Sequence, residues 1–96
     1  MYSVHQTDDY AIWFASLRDR AAKSRINVRI RSAALGNLGD VKPVGEGVSE
    51  MRIDHGPGYR IYMVLRDRRV IVLLAGGSKK TQDRDIKRAL ELARRI

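Results

Sequence analysis

The stretch Val48–Ala75, VSEMRIDHGPGYRIYMVLRDRRVIVLLA, holds three apolar runs separated by two turn signals, and its period decides the fold. In VSEMRID, Ser49, Met51 and Ile53 fall on one face, while Val48, Glu50, Arg52 and Asp54 fall on the other. That period of two is the signature of a pleated strand. HGPG at 55–58 sets glycines on both sides of Pro57 and reads as a turn. In YRIYMVL, Tyr59, Ile61, Met63 and Leu65 alternate with Arg60, Tyr62 and Val64. RDRR supplies the next hairpin turn, and VIVLLA reads as a central strand buried on both faces.

Working outward, VKPV at 41–44 predicts a short edge-like strand, because Pro43 cannot donate to a ladder. SVHQ at 3–6 is a candidate first strand. Thr7 or Asp8 is expected to cap a helix carrying Tyr10, Trp13, Phe14, Leu17 and Ala21 as its core stripe. Ser24 is expected to cap a second helix running to about Asn37, with Ile26, Ile30, Ala33, Ala34 and Leu38 inward and GNLGD ending it. After GGSKK, Thr81 or Asp83 caps a last helix with the stripe Ile86, Ala89, Leu90 and Ala93. The order predicts one α+β domain over residues 1–96. An N-terminal strand and a helical hairpin pack on a small, mainly antiparallel sheet, followed by a C-terminal helix.

The chain of 96 residues carries a net charge of +8 with no cysteine and two histidines. Disulfides and thiolate metal sites are excluded, and no metal cluster is expected from His5 and His55 alone. No apolar run approaches membrane-spanning length, and MYSVHQTDDY lacks the pattern of a signal peptide, so the expectation is a cytoplasmic protein that binds no membrane. The positive excess is uneven. Residues 18–31 hold Arg18, Arg20, Lys23, Arg25, Arg29 and Arg31 against Asp19 alone, an outer hairpin surface suited to a polyanion or an acidic partner.

If the two strands flanking HGPG pair, Glu50, Arg52 and Asp54 lie beside Arg60 and Tyr62 on one surface. Cross-strand ion pairing, for instance Glu50 with Arg60, accounts for part of that pattern. It does not account for arginine at both basic positions, and the planar fork of arginine suits phosphate. Lys79 and Lys80 leave the central strand near the same sheet edge, with Gly76 and Gly77 expected to let an anion approach the backbone. The spacing of a Walker P-loop is absent, which excludes triphosphatase chemistry. A phosphate site of this kind can stabilise a phosphorane without a metal, while RNA supplies its own 2′-hydroxyl as nucleophile. Glu50, Asp54, His55 and Tyr62 are the candidates for proton transfer, and nothing local chooses among them.

Three stretches, LRDRAAKSRINVRIRSAALGNLGD, GNLGDVKPVGEGVSEMRIDHGPGYRIYMVL and LLAGGSKKTQDRDIKRA, carry a resemblance to the RelE/HigB-like toxins of bacterial type II toxin–antitoxin modules. The chain most resembles their addiction-module killer, phage Gp49-like branch. The resemblance spans about Tyr10 to Ala93 and implies a RelE-like fold. It also implies a metal- and cofactor-free, ribosome-dependent mRNA endoribonuclease that inhibits translation. Its partners would be the ribosome and mRNA, a HigA-like helix-turn-helix antitoxin, and operator DNA through the antitoxin complex. Carried over by position, it makes Glu50, Arg52, Arg60, Tyr62, Lys79 and Lys80 the catalytic set, with Tyr59 beside them and Arg60 on the scissile phosphate. The hairpin residues Arg18, Arg25, Arg29 and Arg31 would contact ribosomal RNA. Several relatives place a tyrosine or histidine beyond the last strand, whereas no histidine or aromatic residue follows Lys80 here. That departure leaves the acid/base unassigned. It also leaves open a ParE-like toxin that binds DNA gyrase, or a degenerate copy that retains only antitoxin and operator binding.

Overall fold

The computed structural model describes all residues, 1–96. The order is β1 (Ser3–Gln6), α1 (Asp8–Ser16), α2 (Arg20–Ala34), β2 (Val41–Gly45), β3 (Val48–Ile53), β4 (Tyr59–Arg66), β5 (Val70–Ser78), a 3-10 turn (Lys79–Thr81) and α3 (Gln82–Arg94). The strands form one sheet in the order β1-β5-β4-β3-β2. Only β1 runs parallel to its neighbour, and the other pairings are antiparallel hairpins. The α+β architecture expected from the pattern is therefore the one observed.

The turns follow from backbone chemistry. Asp67 and Arg68, both left-handed at φ 52° and 57°, close the β4–β5 hairpin in the twist that antiparallel strands favour. Pro43 and a register shift before Gly45 blunt the β2 edge.

The sheet is covered on both faces. One core, under α1 and α2, gathers Tyr10, Ile26, Ala33, Met51, Ile53, Ile61, Met63, Ile71 and Leu73. The other, under α3, gathers Val48, Tyr62, Val64, Leu74, Ala75, Ala89, Leu92 and Ala93. A bulge opposite Tyr62 and Met63 turns both Leu74 and Ala75 toward α3.

The helical hairpin breaks at a different place from the one expected. Leu17 is extended (φ −69°, ψ 132°), so α1 ends at Ser16. Asp19, not Ser24, caps α2, its carboxylate accepting the Ala22 N–H at 3.1 Å. An anionic cap at the positive end of the helix is favoured by the dipole as well as by the hydrogen bond. The helix then stops at Ala34 rather than near Asn37, and Gly36 (φ 99°) turns the chain away.

Candidate active site

The hairpin through HGPG sets Glu50 opposite Tyr62 and Arg52 opposite Arg60. These residues share the α3 side of the sheet, as their alternation requires, but that side is not open. The first turn of α3 lies across it, and Glu50 and Tyr62 are each 0% exposed. Glu50 and Tyr62, grouped on one surface by the sequence pattern, are thus enclosed by α3 as a buried polar cluster. The Tyr62 hydroxyl donates to Glu50 Oε2 at 3.0 Å, and Gln82 Nε2 donates to the same oxygen at 2.9 Å. Burial and then the adjacent carboxylate push the Tyr62 phenol well above the usual tyrosine range, so it stays a neutral donor.

Arg60 sits at the lip of this cluster. Its Nε lies 3.8 Å from Glu50 Oε1, with the side chain 13% exposed, and neither of these two atoms has a hydrogen-bond partner. The guanidinium is steered by a buried opposite charge while its donors remain unspent. Beyond it, Arg60 lines a shallow groove of about 420 Å³ with Asp40, Arg52, Asp54, Gly58 and Lys79. The Lys79 N–H donates to the Gly58 carbonyl at 2.8 Å, which ties the lysine turn to the HGPG turn. Gly58 turns that corner with φ 77°, in the left-handed region that favours glycine.

The remaining expected residues divide. Arg52 reaches the groove, but its Nε and Nη2 both donate to Asp40 Oδ1, at 3.2 and 2.7 Å. That pair holds the Asp40 carboxyl below its usual range and raises the Arg52 guanidinium. Lys80 is exposed and shares a second depression with Lys79, Thr81, Gln82, Asp83 and Arg84. Arg29 is half-buried, and its guanidinium is engaged within the chain. Its Nη1 donates to the Arg52 carbonyl at 2.6 Å, and its Nη2 donates to the Leu38 and Asp40 carbonyls at 3.2 Å. It clamps the α2–β2 connection, whereas Arg18, Arg25 and Arg31 are exposed.

Arg25 and Arg29 line a third depression with Ile53 and Asp54, and those two residues also belong to the Arg60 groove. Shared lining residues therefore join the three depressions into a strip that carries Arg25, Arg60, Lys79, Lys80 and Arg84, interrupted by Asp40, Asp54 and Asp83. Of the proton-transfer candidates, Asp54 is exposed in the groove, whereas His55 Nε2 is paired with Asp19 Oδ2 at 3.0 Å. No cluster of three or more His, Asp or Glu side chains that could hold a metal ion is present.

The glycine pair has a use other than the expected one. Gly76 and Gly77 belong to β5 and face opposite sides of the sheet. A Cβ at Gly76 would lie 2.1 Å from the Trp13 ring, and one at Gly77 would lie 1.8 Å from Asp85 Oδ2. These positions are occupied by contacts that seat α1 and α3 on the sheet. Asp85, in turn, accepts from Thr81 Oγ1 at 2.5 Å, and the Thr81 hydroxyl makes no cap bond to a backbone N–H. Sequence reasoning passed over Gln82, Asp40 and Asp85. Asp85 falls three residues before Arg88 on a helix dense with charge, where pattern alone does not separate a buried carboxylate from a solvated one.

Residues 13–96 match the family described as phage derived protein Gp49-like. An uncharacterized protein of Haemophilus influenzae is 45% identical over 93 residues, covering 97% of this chain and 94% of its own. Among solved structures, a chain of the intact E. coli RelBE toxin–antitoxin complex superposes with a TM-score of 0.70 at 12% identity, covering 81% of this chain and 96% of that one. The isolated E. coli RelE toxin gives 0.69 at 13% identity, covering 92% and 98%. At such identities the likeness is one of fold. The chain belongs to the Gp49-like family, and its architecture is that of RelE.

Proposed function

We propose that this protein is the toxin of a type II toxin–antitoxin pair and cuts mRNA on the ribosome. The observation that carries this reading is Arg60, an almost buried guanidinium aimed by a fully buried carboxylate, with unspent donors at the floor of a basic groove. Such a group is preorganised for a phosphodiester and costs little reorganisation when charge develops. The likeness to RelE supports the same reading through the fold.

In the proposed reaction the RNA 2′-oxygen attacks the adjacent phosphorus and the bond to the 5′-oxygen breaks, leaving a cyclic phosphate and a 5′-oxygen that takes a proton from water to become the 5′-hydroxyl. Arg60 and Lys79 hold the phosphate and offset charge on the phosphorane. Asp54 takes the 2′-proton, because the other candidates are engaged: Glu50 and Tyr62 are buried on each other, and His55 is paired with Asp19. Glu50, Tyr62 and Gln82 are positioning residues that act through Arg60. Arg18, Arg25 and Arg31, with Lys80, extend the strip along ribosomal RNA, and a cognate antitoxin, HigA-like in type, holds the toxin in check.

A second reading is a non-enzymatic toxin that binds a protein target such as gyrase. The absence of any histidine or aromatic residue after Lys80 favours it. Purified protein added to a cell-free translation reaction, with mRNA 5′ ends mapped, separates the two. Cuts that require ribosomes and vanish in Arg60→Lys support the nuclease. Intact mRNA with folded protein and induced DNA breaks supports the second reading.

A further inference from the structure

We propose that the apolar pocket where α2 stops short of the sheet end is the docking site for an acidic protein segment. One bulky apolar side chain of that segment enters the pocket while its carboxylates cover Arg31, Arg68 and Arg69. The identity of the partner rests on the toxin reading, since the segment would belong to the antitoxin; the position of the site does not.

The pocket encloses about 190 Å³ and is lined by Tyr2, Gly36, Leu38, Met63, Leu65 and Ile71 among others. It exists because α2 ends at Ala34 while β4 and β5 continue to their hairpin, so the upper core lacks a lid. Met63 and Ile71 form a buried floor, whereas Leu38 and Leu65 on the rim are 39% and 47% exposed. Leu35 beside them is 65% exposed. Glycine at position 36, with nothing within 4 Å of its missing Cβ, keeps one wall low. An apolar pocket with exposed leucines on its rim is the geometry of an anchor site, in which one buried side chain supplies much of the affinity.

The charge around the pocket selects the occupant. Arg68 and Arg69 lie in the turn joining Leu65 to Ile71, and Arg31 lies one helical turn before Leu35. All three are exposed, and none forms an ion pair within the chain. A second copy docking by two-fold symmetry would bring these like charges toward their own mates. RNA would set phosphates against leucines. An acidic segment with an apolar anchor satisfies both features. The pocket meets β4 from Met63 to Leu65, three to five residues from Arg60 and about 10–17 Å at strand rise. Its floor residue Met63 belongs to the core on the other face of the sheet, so occupancy there does not itself require the phosphate groove.

The test measures binding of the product of the gene adjacent to this chain's own, by calorimetry at low and high salt. Leu38→Asp and Leu65→Asp change exposed rim positions, and circular dichroism checks that each is folded. Arg68→Glu with Arg69→Glu reverses the charge, and Arg60→Lys is the control. We expect at least about tenfold weaker binding for each rim variant, a flatter salt dependence for the charge reversal, and no change for Arg60→Lys. Rim variants that bind as tightly as the unaltered chain overturn the site while leaving the toxin reading standing. An unaltered chain that fails to bind at low salt overturns the antitoxin reading and this partner with it. Self-association in sedimentation equilibrium that Leu65→Asp abolishes overturns the proposal in favour of a second copy.

Discussion

Glu50 Oε1 and Arg60 Nε face each other at 3.8 Å beneath the first turn of α3, too far apart for a hydrogen bond and with no other partner for either atom. The other carboxylate oxygen is saturated by Tyr62 and Gln82. A buried carboxylate left half-satisfied is costly, and proteins tolerate such costs mainly where a site needs them. The arrangement points Arg60 outward by attraction without consuming its donors.

Removing Arg60 therefore tests two things at once. Arg60→Ala strands a buried charge and is expected to lower stability by about 3–5 kcal/mol. Arg60→Lys keeps the charge but loses the fork, so it should remain folded and lose about a hundredfold or more in RNA cleavage. Urea titration beside a cleavage assay checks both. Full activity in a folded Arg60→Lys would remove Arg60 from the phosphate.

The two glycines of β5 should behave as packing positions. Gly76→Ala drives a methyl group into the Trp13 ring, and Gly77→Ala drives one into Asp85, each costing about 1–3 kcal/mol or more. Lys79→Ala and Lys80→Ala should change stability by less than about 0.5 kcal/mol, yet each should reduce the salt slope of RNA binding by about one. Chemical denaturation and salt-dependent binding read the contrast. Gly77→Ala with unaltered stability and lost RNA binding would restore the anion-seat interpretation.

Arg29 and Arg25 make a paired test on one helix. Arg29→Ala frees the Leu38 and Asp40 carbonyls of the α2–β2 connection and the Arg52 carbonyl of β3, and should cost about 1–3 kcal/mol. Arg25→Ala should leave the melting temperature unchanged and weaken association with ribosomes. Equal melting temperatures for the two variants would show that the clamp does not contribute.

The pH dependence has two limbs. Asp9, Asp19, Asp40 and Glu46 are held below the usual carboxylate range, led respectively by hydrogen bonds from Arg88, the Ala22 N–H, Arg52 and Arg94. The unfolded chain then binds more protons as pH falls, so stability is full above the ordinary carboxylate values and declines with acidification through them. Tyr10 and Tyr62 are raised, chiefly by burial. The unfolded chain loses those protons first, so stability also falls above about pH 10. Denaturation midpoints across pH should trace this dome, and Tyr62→Phe should shallow its alkaline side.

Much of the architecture is written in local patterns. The period of two in Val48–Ala75, the punctuation of HGPG and RDRR, and Pro43 on an edge each follow from backbone constraints that act within a few residues. The helix break at Leu17 was not legible, because Asp19 and Ser24 are both good caps. The choice between them depends on how the hairpin packs and on the pairing of Asp19 with His55.

The candidate site divides along the same line. Sequence alone determined that Glu50, Arg52, Arg60 and Tyr62 share one side of the sheet, since side-chain alternation admits no other arrangement once the hairpin forms. Whether that side meets water was decided only in three dimensions, by the first turn of α3 lying across it. The same helix packing turned Gly76 and Gly77 from an expected anion seat into seats for Trp13 and Asp85, and the α2–β2 connection drew Arg29 away from solvent. Periodicity reports which face a residue occupies; burial depends on what long-range packing places against that face.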